Sequence, residues 1–292
     1  MLEYDYPLFR PPAEANNVIL QVTLGCSYNR CSFCSMYKTK SYQAKNMDEI
    51  KRDIETLAYS YPDATKVFLA DGDALALPSE QLFTILKYLD EKFPKLRRVS
   101  TYASTQNLTE KSNKELEELC KSKLNLIYYG VETGSDVVLK KITKGVNQSE
   151  IIETLNKASH AGMKISATVI LGIGGEKYSS LHVEESAKVI NATTVTYLST
   201  LQLGLEENAK ENFYKHFEDF TMPNDEQLLH EQKNFLELLE PKSKTIFRSN
   251  HASNALHLKG NLPKDRDRLV DELAEAIHVG KSAFIPEMFR GF

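Results

Sequence analysis

The residues most able to do chemistry are Cys26, Cys31 and Cys34, which crowd three of the four cysteines into the stretch LGCSYNRCSFCSMY at 24–37. The spacing is C-x4-C-x2-C. Thiolates are soft ligands that suit zinc or an iron–sulfur cluster. A structural zinc site takes four ligands, so zinc would have to recruit a fourth from a distance. The remaining thiol, Cys120, lies in NKELEELCKSKL on one helical stripe with Leu116 and Leu119, and reads as a small core residue. A 4Fe-4S cluster held by three cysteines keeps one iron open to a substrate or cofactor. Three thiols without a fourth therefore favour an open iron–sulfur centre.

Such a loop must be held by regular elements. Strand-like runs rich in β-branched and aromatic residues occur at 18–24, 66–70, 98–103, 124–131, 164–172 and 194–201. Helical patterns separate them. In SEQLFTILKYLDEKF, residues Leu82, Ile85, Leu86, Leu89 and Phe93 share one stripe, with Ser79 as N-cap. Gly162 ends the helix that begins near Ser149. Six strands alternating with helices predict an α/β fold with a parallel sheet, as a partial (β/α)6 barrel or an open doubly wound sheet. In both, chemistry sits at the C-terminal strand ends. The loops there are the cysteine stretch, DGDA (71–74), STQN (104–107), ETGS (132–135) and GIGGE (172–176). The division read from the chain is an extended segment 1–16, a barrel at 17–205 and a helical extension at 206–292. The extension carries one donor-rich stretch, FRSNHASN, whose Arg248, Asn250, His251 and Asn254 are candidates for substrate contact if the tail crosses the mouth. A polar loop joining two helices is the competing reading. The other histidines, His182 among them, sit on helical or surface-like segments and receive no role.

The triad, with Phe33 just before its last cysteine, resembles radical S-adenosylmethionine enzymes. It has one residue more between the first two cysteines than their usual C-x3-C-x2-C. YYGVETGSDVVLKKITKG (128–145) resembles the branch containing elongator-like proteins, methylthiotransferases and oxygen-independent coproporphyrinogen oxidases. The resemblance spans about residues 17–205 and implies a partial (β/α)6 barrel with a 4Fe-4S cluster on Cys26, Cys31 and Cys34. It further implies that S-adenosylmethionine binds the free iron through its amino and carboxylate groups and is cleaved to methionine and a 5′-deoxyadenosyl radical, which abstracts hydrogen from substrate. Carried over residue by residue, the cofactor contacts are Phe33, Asp71, Gly72, Asp73, Glu132, Gly172 and Gly174; Ser104, in STQN, is a candidate pocket-lining residue, the competing reading being an Asn-containing turn before LTEKSN. Asp71–Gly72–Asp73 stands where the family has a Gly-Gly-Glu-like turn, and offers acceptors to an ammonium. Glu132 would accept from ribose hydroxyls or the amine, or else would pair with Lys140, Lys141 or Lys144.

Composition narrows the field. The net charge is −4 and hydrophobic residues make up 41 %, which fits an ordinary globular protein with no general attraction to polyanions. Nucleic acid is neither indicated nor excluded as a partner. No membrane span or signal peptide is read, so the expected compartment is cytoplasmic, where thiols stay reduced. An electron donor such as flavodoxin or ferredoxin is the expected partner. With Cys120 alone to spare, a second cysteine-bound cluster is not expected, and neither is an N-terminal cobalamin domain. The rival functions are a zinc-binding interaction protein and an iron–sulfur electron carrier.

Overall fold

The β-branched runs become strands and the amphipathic runs become helices in the computed structural model, which describes residues 2–291. The chain groups into two units, one holding residues up to Asn29 with 36–129 and 157–165, the other holding 30–35, 130–156 and the chain from Ser166 onward.

The first unit begins with strands β1 (Val18–Gln21), β2 (Thr23–Leu24) and β3 (Gln43–Ala44), the last two forming a small antiparallel pair. Helix α1 (Met47–Ser60) follows, then β4 (Lys66–Ala70), α2 (Ser79–Lys92), β5 (Arg98–Ala103), α3 (Thr105–Glu110), α4 (Asn113–Lys121) and β6 (Leu124–Glu132). The main sheet runs β1-β4-β5-β6 with every pair parallel. Its strands are apolar because helices cover them: Val67, Phe68, Leu69 and Ala70 of β4 are wholly buried. Helix α1 presents Ile50, Ile54 and Leu57 at helical spacing, and the Asn46 side chain accepts the Asp48 N–H to cap its start. Ser79 is not the cap of α2. Pro78 occupies that position, and the Ser79 hydroxyl serves Glu115 instead.

The N-terminal segment is tied to this unit. Glu14 lies in a short 3-10 turn and is fully buried, yet it accepts from Arg98 (2.9 Å), Ser100 (2.9 Å) and Tyr128 (2.5 Å). Three donors offset the desolvation of that carboxylate. At the edge strand β1, the Gln21 side-chain amide bonds both the N–H and the C=O of Asp5, at 2.9 and 3.0 Å, and the Tyr4 hydroxyl donates to the Ile19 carbonyl at 2.7 Å.

The second unit takes the end of β6, then α5 (Asp136–Lys141), α6 (Gln148–His160), β7 (Lys164–Leu171), α7 (Gly175–Ala192) and β8 (Tyr197–Gln202). Helix α6 and strand β7 begin or end in the first unit, and Gly162 at φ +88° makes the stop between them. The chain continues through α8 (Glu207–His216), α9 (Asp225–Glu237), β9 (Thr245–Ser249), β10 (Leu258–Leu262) and α10 (Arg266–Val279). Strands β7, β8 and β9 run parallel, and β10 closes the edge antiparallel to β9. The α/β class with six successive βα units is the one the sequence predicts. The tail is helical as expected, but it also adds the hairpin β9–β10. The FRSNHASN stretch therefore starts inside a strand, with Arg248 and Ser249 in β9, and is not a loop between helices.

Candidate functional site

The cysteine loop follows β2, and each of its two ends has its own anchors. Gly25, at φ +69°, turns the chain after β2, and a Cβ there would lie 3.1 Å from the Ser41 backbone. Cys26 follows. Further on, the Ser32 N–H bonds the Ile142 carbonyl at 2.9 Å and the Thr143 hydroxyl bonds the Arg30 carbonyl at 2.7 Å, anchoring the loop to the end of α5. Phe33 packs on an apolar cluster that includes Ile142, Ile170, Leu203, Phe213 and Phe217. Cys26, Cys31 and Cys34 are all half-buried and reduced. Among the described residues, no three His, Cys, Asp or Glu side chains stand in an arrangement that holds a metal ion. The donor chemistry suits a cluster: three thiols on one short loop, with the buried Ser32 hydroxyl lacking any partner and free to donate to sulfur.

In the first unit the DGDA turn is buried. One Asp71 oxygen accepts from Lys40 (3.1 Å) and Gln21 (3.4 Å), while the other has no partner. The Tyr37 ring covers the turn. A Cβ at Gly72 would come within 2.4 Å of that ring, so glycine is required there by packing. Burial beside Asp71 pushes the Tyr37 phenol far above its ordinary range. Asp73 accepts from the Ser27 hydroxyl and from the Asn107 amide, and burial raises its pKa against the pull of those bonds. Ser104 caps α3: its hydroxyl accepts the Asn107 N–H while Asn107 accepts the Ser104 N–H. The DGDA and STQN loops are thus joined through Asp73 and Asn107.

In the second unit Glu132 stands at φ +62°, a left-handed conformation rare for a side-chain-bearing residue. Its Oε1 bonds Lys144 at 2.9 Å, which realises the ion pair the sequence allowed. Gly130 is needed for this fold-back, because a Cβ there would collide with Glu132 Oε1 at 1.9 Å. Gly172, at φ +80°, meets the α9 side chain Leu228, and Gly174 lies against the first turn of α7. Both glycines are buried and serve close packing of helices.

Two residues were missed by sequence reasoning. His182 is buried, not at the surface: it is 1 % exposed, with Nδ1 2.8 Å from the Thr133 hydroxyl and 3.3 Å from the Ser186 hydroxyl. Its Nε2 faces Glu231 Oε1 at 3.7 Å. Glu231, on α9, accepts the Gly172 N–H at 2.5 Å and the Ser179 hydroxyl. Burial lowers the His182 pKa to about 4 and raises that of Glu231 to about 7. The signal that could have found the histidine is the polar stripe Ser179, His182, Ser186 at helical spacing among Val183, Ala187 and Ile190.

The candidates in the tail are placed differently from one another. Asn254 is buried and fully used: it accepts the Gln202 N–H (2.8 Å) and donates to the Thr200 carbonyl (2.9 Å) and the Ser249 hydroxyl (2.8 Å). Arg248 bonds backbone carbonyls of its own hairpin. His251 is half-buried against Ser253, which lowers its pKa, and Asn250 is exposed. Beyond the end of β8 lies a cavity of about 590 Å³, walled by Leu203, Leu205, Met222 and Phe284. At its edge Arg290 forks onto both Asp225 oxygens at 2.7 and 2.8 Å.

A parallel α/β sheet with three clustered thiols after its first strand defines a class, and comparison with known proteins agrees. The model of the Radical SAM superfamily matches residues 20–186, more than half of the sequence, and the chain belongs to that superfamily. Heme chaperone HemW of Bacillus subtilis is 24 % identical over 183 residues, 60 % of this chain and 48 % of that protein. Among solved structures, methylornithine synthase superposes with a TM-score of 0.55 at 16 % identity, covering 79 % of this chain and 63 % of that one. Coproporphyrinogen III oxidase from Escherichia coli gives 0.54 at 15 %, covering 76 % and 52 %. At such identities the structural likeness shows the fold alone. The chain spans between a third and a half of the length of the curated relatives it matches. No helix among the described residues is long and apolar enough to cross a membrane.

Proposed function

We propose that this chain is a radical S-adenosylmethionine enzyme acting on an unidentified organic substrate, with a 4Fe-4S cluster held by Cys26, Cys31 and Cys34. The observation that carries the reading is the set of three reduced, half-buried thiols on one loop of a chain that belongs to this superfamily. When bound, such a cluster would supply the electron for reductive cleavage of S-adenosylmethionine, drawn from a donor such as flavodoxin or ferredoxin, and with it the means of hydrogen abstraction from substrate. The protein's own contribution is placement. The unpartnered oxygen of Asp71 and the carbonyls of the Asp71–Asp73 turn accept hydrogen bonds from the cofactor's ammonium. Glu132 has one oxygen pinned by Lys144, which fixes the carboxylate while the other oxygen remains for ribose hydroxyls or the amine. Phe33 shields the cluster from water, and Ser104, Gly172 and Gly174 shape the loops around the nucleoside. The 590 Å³ cavity past β8 is large enough for a small organic molecule, and the tail reaches it through Phe284 and Arg290, while Asn250 and His251 do not line it.

The test is low-temperature EPR on protein reconstituted anaerobically with iron and sulfide and reduced with dithionite. A reduced-cluster signal that changes shape on adding S-adenosylmethionine is expected. A signal indifferent to it would leave an electron carrier. Zinc retained without any cluster would make the thiols a structural metal site.

A further inference from the structure

The region that identifies the family ends at residue 186. A buried carboxylate from outside it bonds one of the loops assigned above to the cofactor and, across His182, faces a second. Glu231 lies on α9, on the buried face that also carries Leu228 and Phe235. Its side chain is 1 % exposed. Burying a carboxylate is costly unless its oxygens find donors, and here they find two: the Gly172 N–H on Oε1 and the Ser179 hydroxyl on Oε2. The Gly172 N–H has no sheet partner, because the chain has just left β7 in a left-handed turn. Glu231 supplies the acceptor that this turn needs.

The proton inventory extends the chain of contacts. Ser186 Oγ accepts the Gly134 N–H at 2.9 Å, so its own hydrogen is available to His182 Nδ1. Thr133 Oγ1 accepts the Ser135 N–H at 3.1 Å and is likewise free to donate to that nitrogen. With Nδ1 an acceptor, the neutral imidazole carries its hydrogen on Nε2, which faces Glu231 Oε1. One buried line of groups therefore runs from Gly172 through Glu231 and His182 to Thr133 and Gly134, the residues directly after Glu132.

Resting on the proposed cofactor site, we infer that Glu231 is a positioning residue for S-adenosylmethionine, bracing the loops at 132–135 and 172–175 from helix α9. It touches neither the reacting atoms nor the cofactor. It sets the backbone on which both loops present their groups, so its loss should appear in cofactor affinity with the cluster intact.

The experiment uses the full chain, anaerobically reconstituted, with S-adenosylmethionine binding measured by calorimetry and iron and sulfide assayed on each sample. Glu231→Leu keeps the side chain's bulk and removes both acceptors. Glu231→Gln keeps an acceptor for Gly172 and can donate to Ser179. The expected result is a 10- to 100-fold weaker affinity for Glu231→Leu at unchanged iron content, with Glu231→Gln within about threefold of the native protein. Native-like affinity in folded Glu231→Leu would overturn the inference while leaving the cofactor site standing. Absence of binding by the native protein would remove the site and the inference together. Should Glu231→Leu fail to fold, hydrogen exchange on the native protein decides. Adding S-adenosylmethionine should slow exchange in the peptide covering Asp225–Glu237 as well as in those covering 132–135 and 172–175. Protection of the two loops with no change in that helix would refute the link.

Discussion

Replacing Glu231 by glutamine should make the protein more stable at neutral pH and change the shape of its pH dependence. The carboxyl titrates at about 7 in the folded protein against 4.5 ordinarily, because burial penalises the charged form. Between those values the unfolded chain has released a proton that the folded protein retains, so rising pH favours unfolding. An offset of roughly two and a half pH units corresponds to about 3 kcal/mol. His182 acts in the opposite sense. Its folded value is about 4 against 6.5, so the unfolded chain takes up a proton that the buried ring refuses, and stability falls as pH drops from 6.5 to 4. The two slopes oppose each other between about pH 4.5 and 6.5 and nearly cancel in the native protein. Their other contacts, Thr133, Ser179, Ser186 and the Gly172 N–H, do not titrate. Glu231→Gln removes the term that weakens the fold as pH rises. Its advantage over the native chain should grow from about 1 kcal/mol at pH 5 to about 3 kcal/mol at pH 8. Urea denaturation at four pH values, followed by circular dichroism because the chain has no tryptophan, measures that difference, in which all other carboxylates cancel. Parallel pH profiles for the two proteins would refute the reasoning.

Three further outcomes are expected. Cys31→Ala should abolish the iron–sulfur cluster on reconstitution, and full iron and sulfide in that variant would sink the ligand assignment. Glu132→Ala should weaken S-adenosylmethionine binding by about 10- to 100-fold, the scale of a lost charge-assisted hydrogen bond, without loss of iron; unchanged affinity in calorimetry would leave Glu132 as the partner of Lys144 and nothing more. Asn254→Ala should cost about 2–3 kcal/mol in denaturant unfolding, since it strands the buried Gln202 N–H and Thr200 carbonyl together.

The six parallel strands were legible because β-branched runs buried on both faces carry little else, as KVFLA in β4 shows. The loops that follow them were legible as places, since the parallel fold fixes where strand ends lie. Their internal wiring was not. The mutual cap of Ser104 and Asn107 is local, three residues apart, but nothing in STQN told that Asn107 reaches Asp73, because that contact joins segments more than thirty residues apart. The hairpin β9–β10 escaped because TIFRS and LKGNL are short and mixed, and stabilised by each other. His182 escaped for a related reason. A histidine flanked by serines reads as solvent-facing until α9 arrives to cover it, and α9 belongs to a tail with no family pattern to place it. Glu132 shows the two levels meeting: its partner Lys144 was within the set the sequence allowed, while the left-handed backbone and the room made by Gly130 required coordinates.

The segment around Tyr4 and Asp5 has a bearing on how the protein behaves in concentrated solution. Strand β1 is the outer strand of its sheet and would otherwise offer bare N–H and C=O groups to any passing chain, the usual template for strand-by-strand association. Gln21 answers with a side-chain amide that imitates a neighbouring peptide, clasping Asp5 by donor and acceptor at once, and Tyr4 occupies the Ile19 carbonyl. The leading residues thus act as a selvedge that keeps the sheet from unravelling into its neighbours. Fusion partners or trimming that disturb them would bare that edge and invite aggregation, and would also loosen Lys40, which Asp5 shares with Asp71.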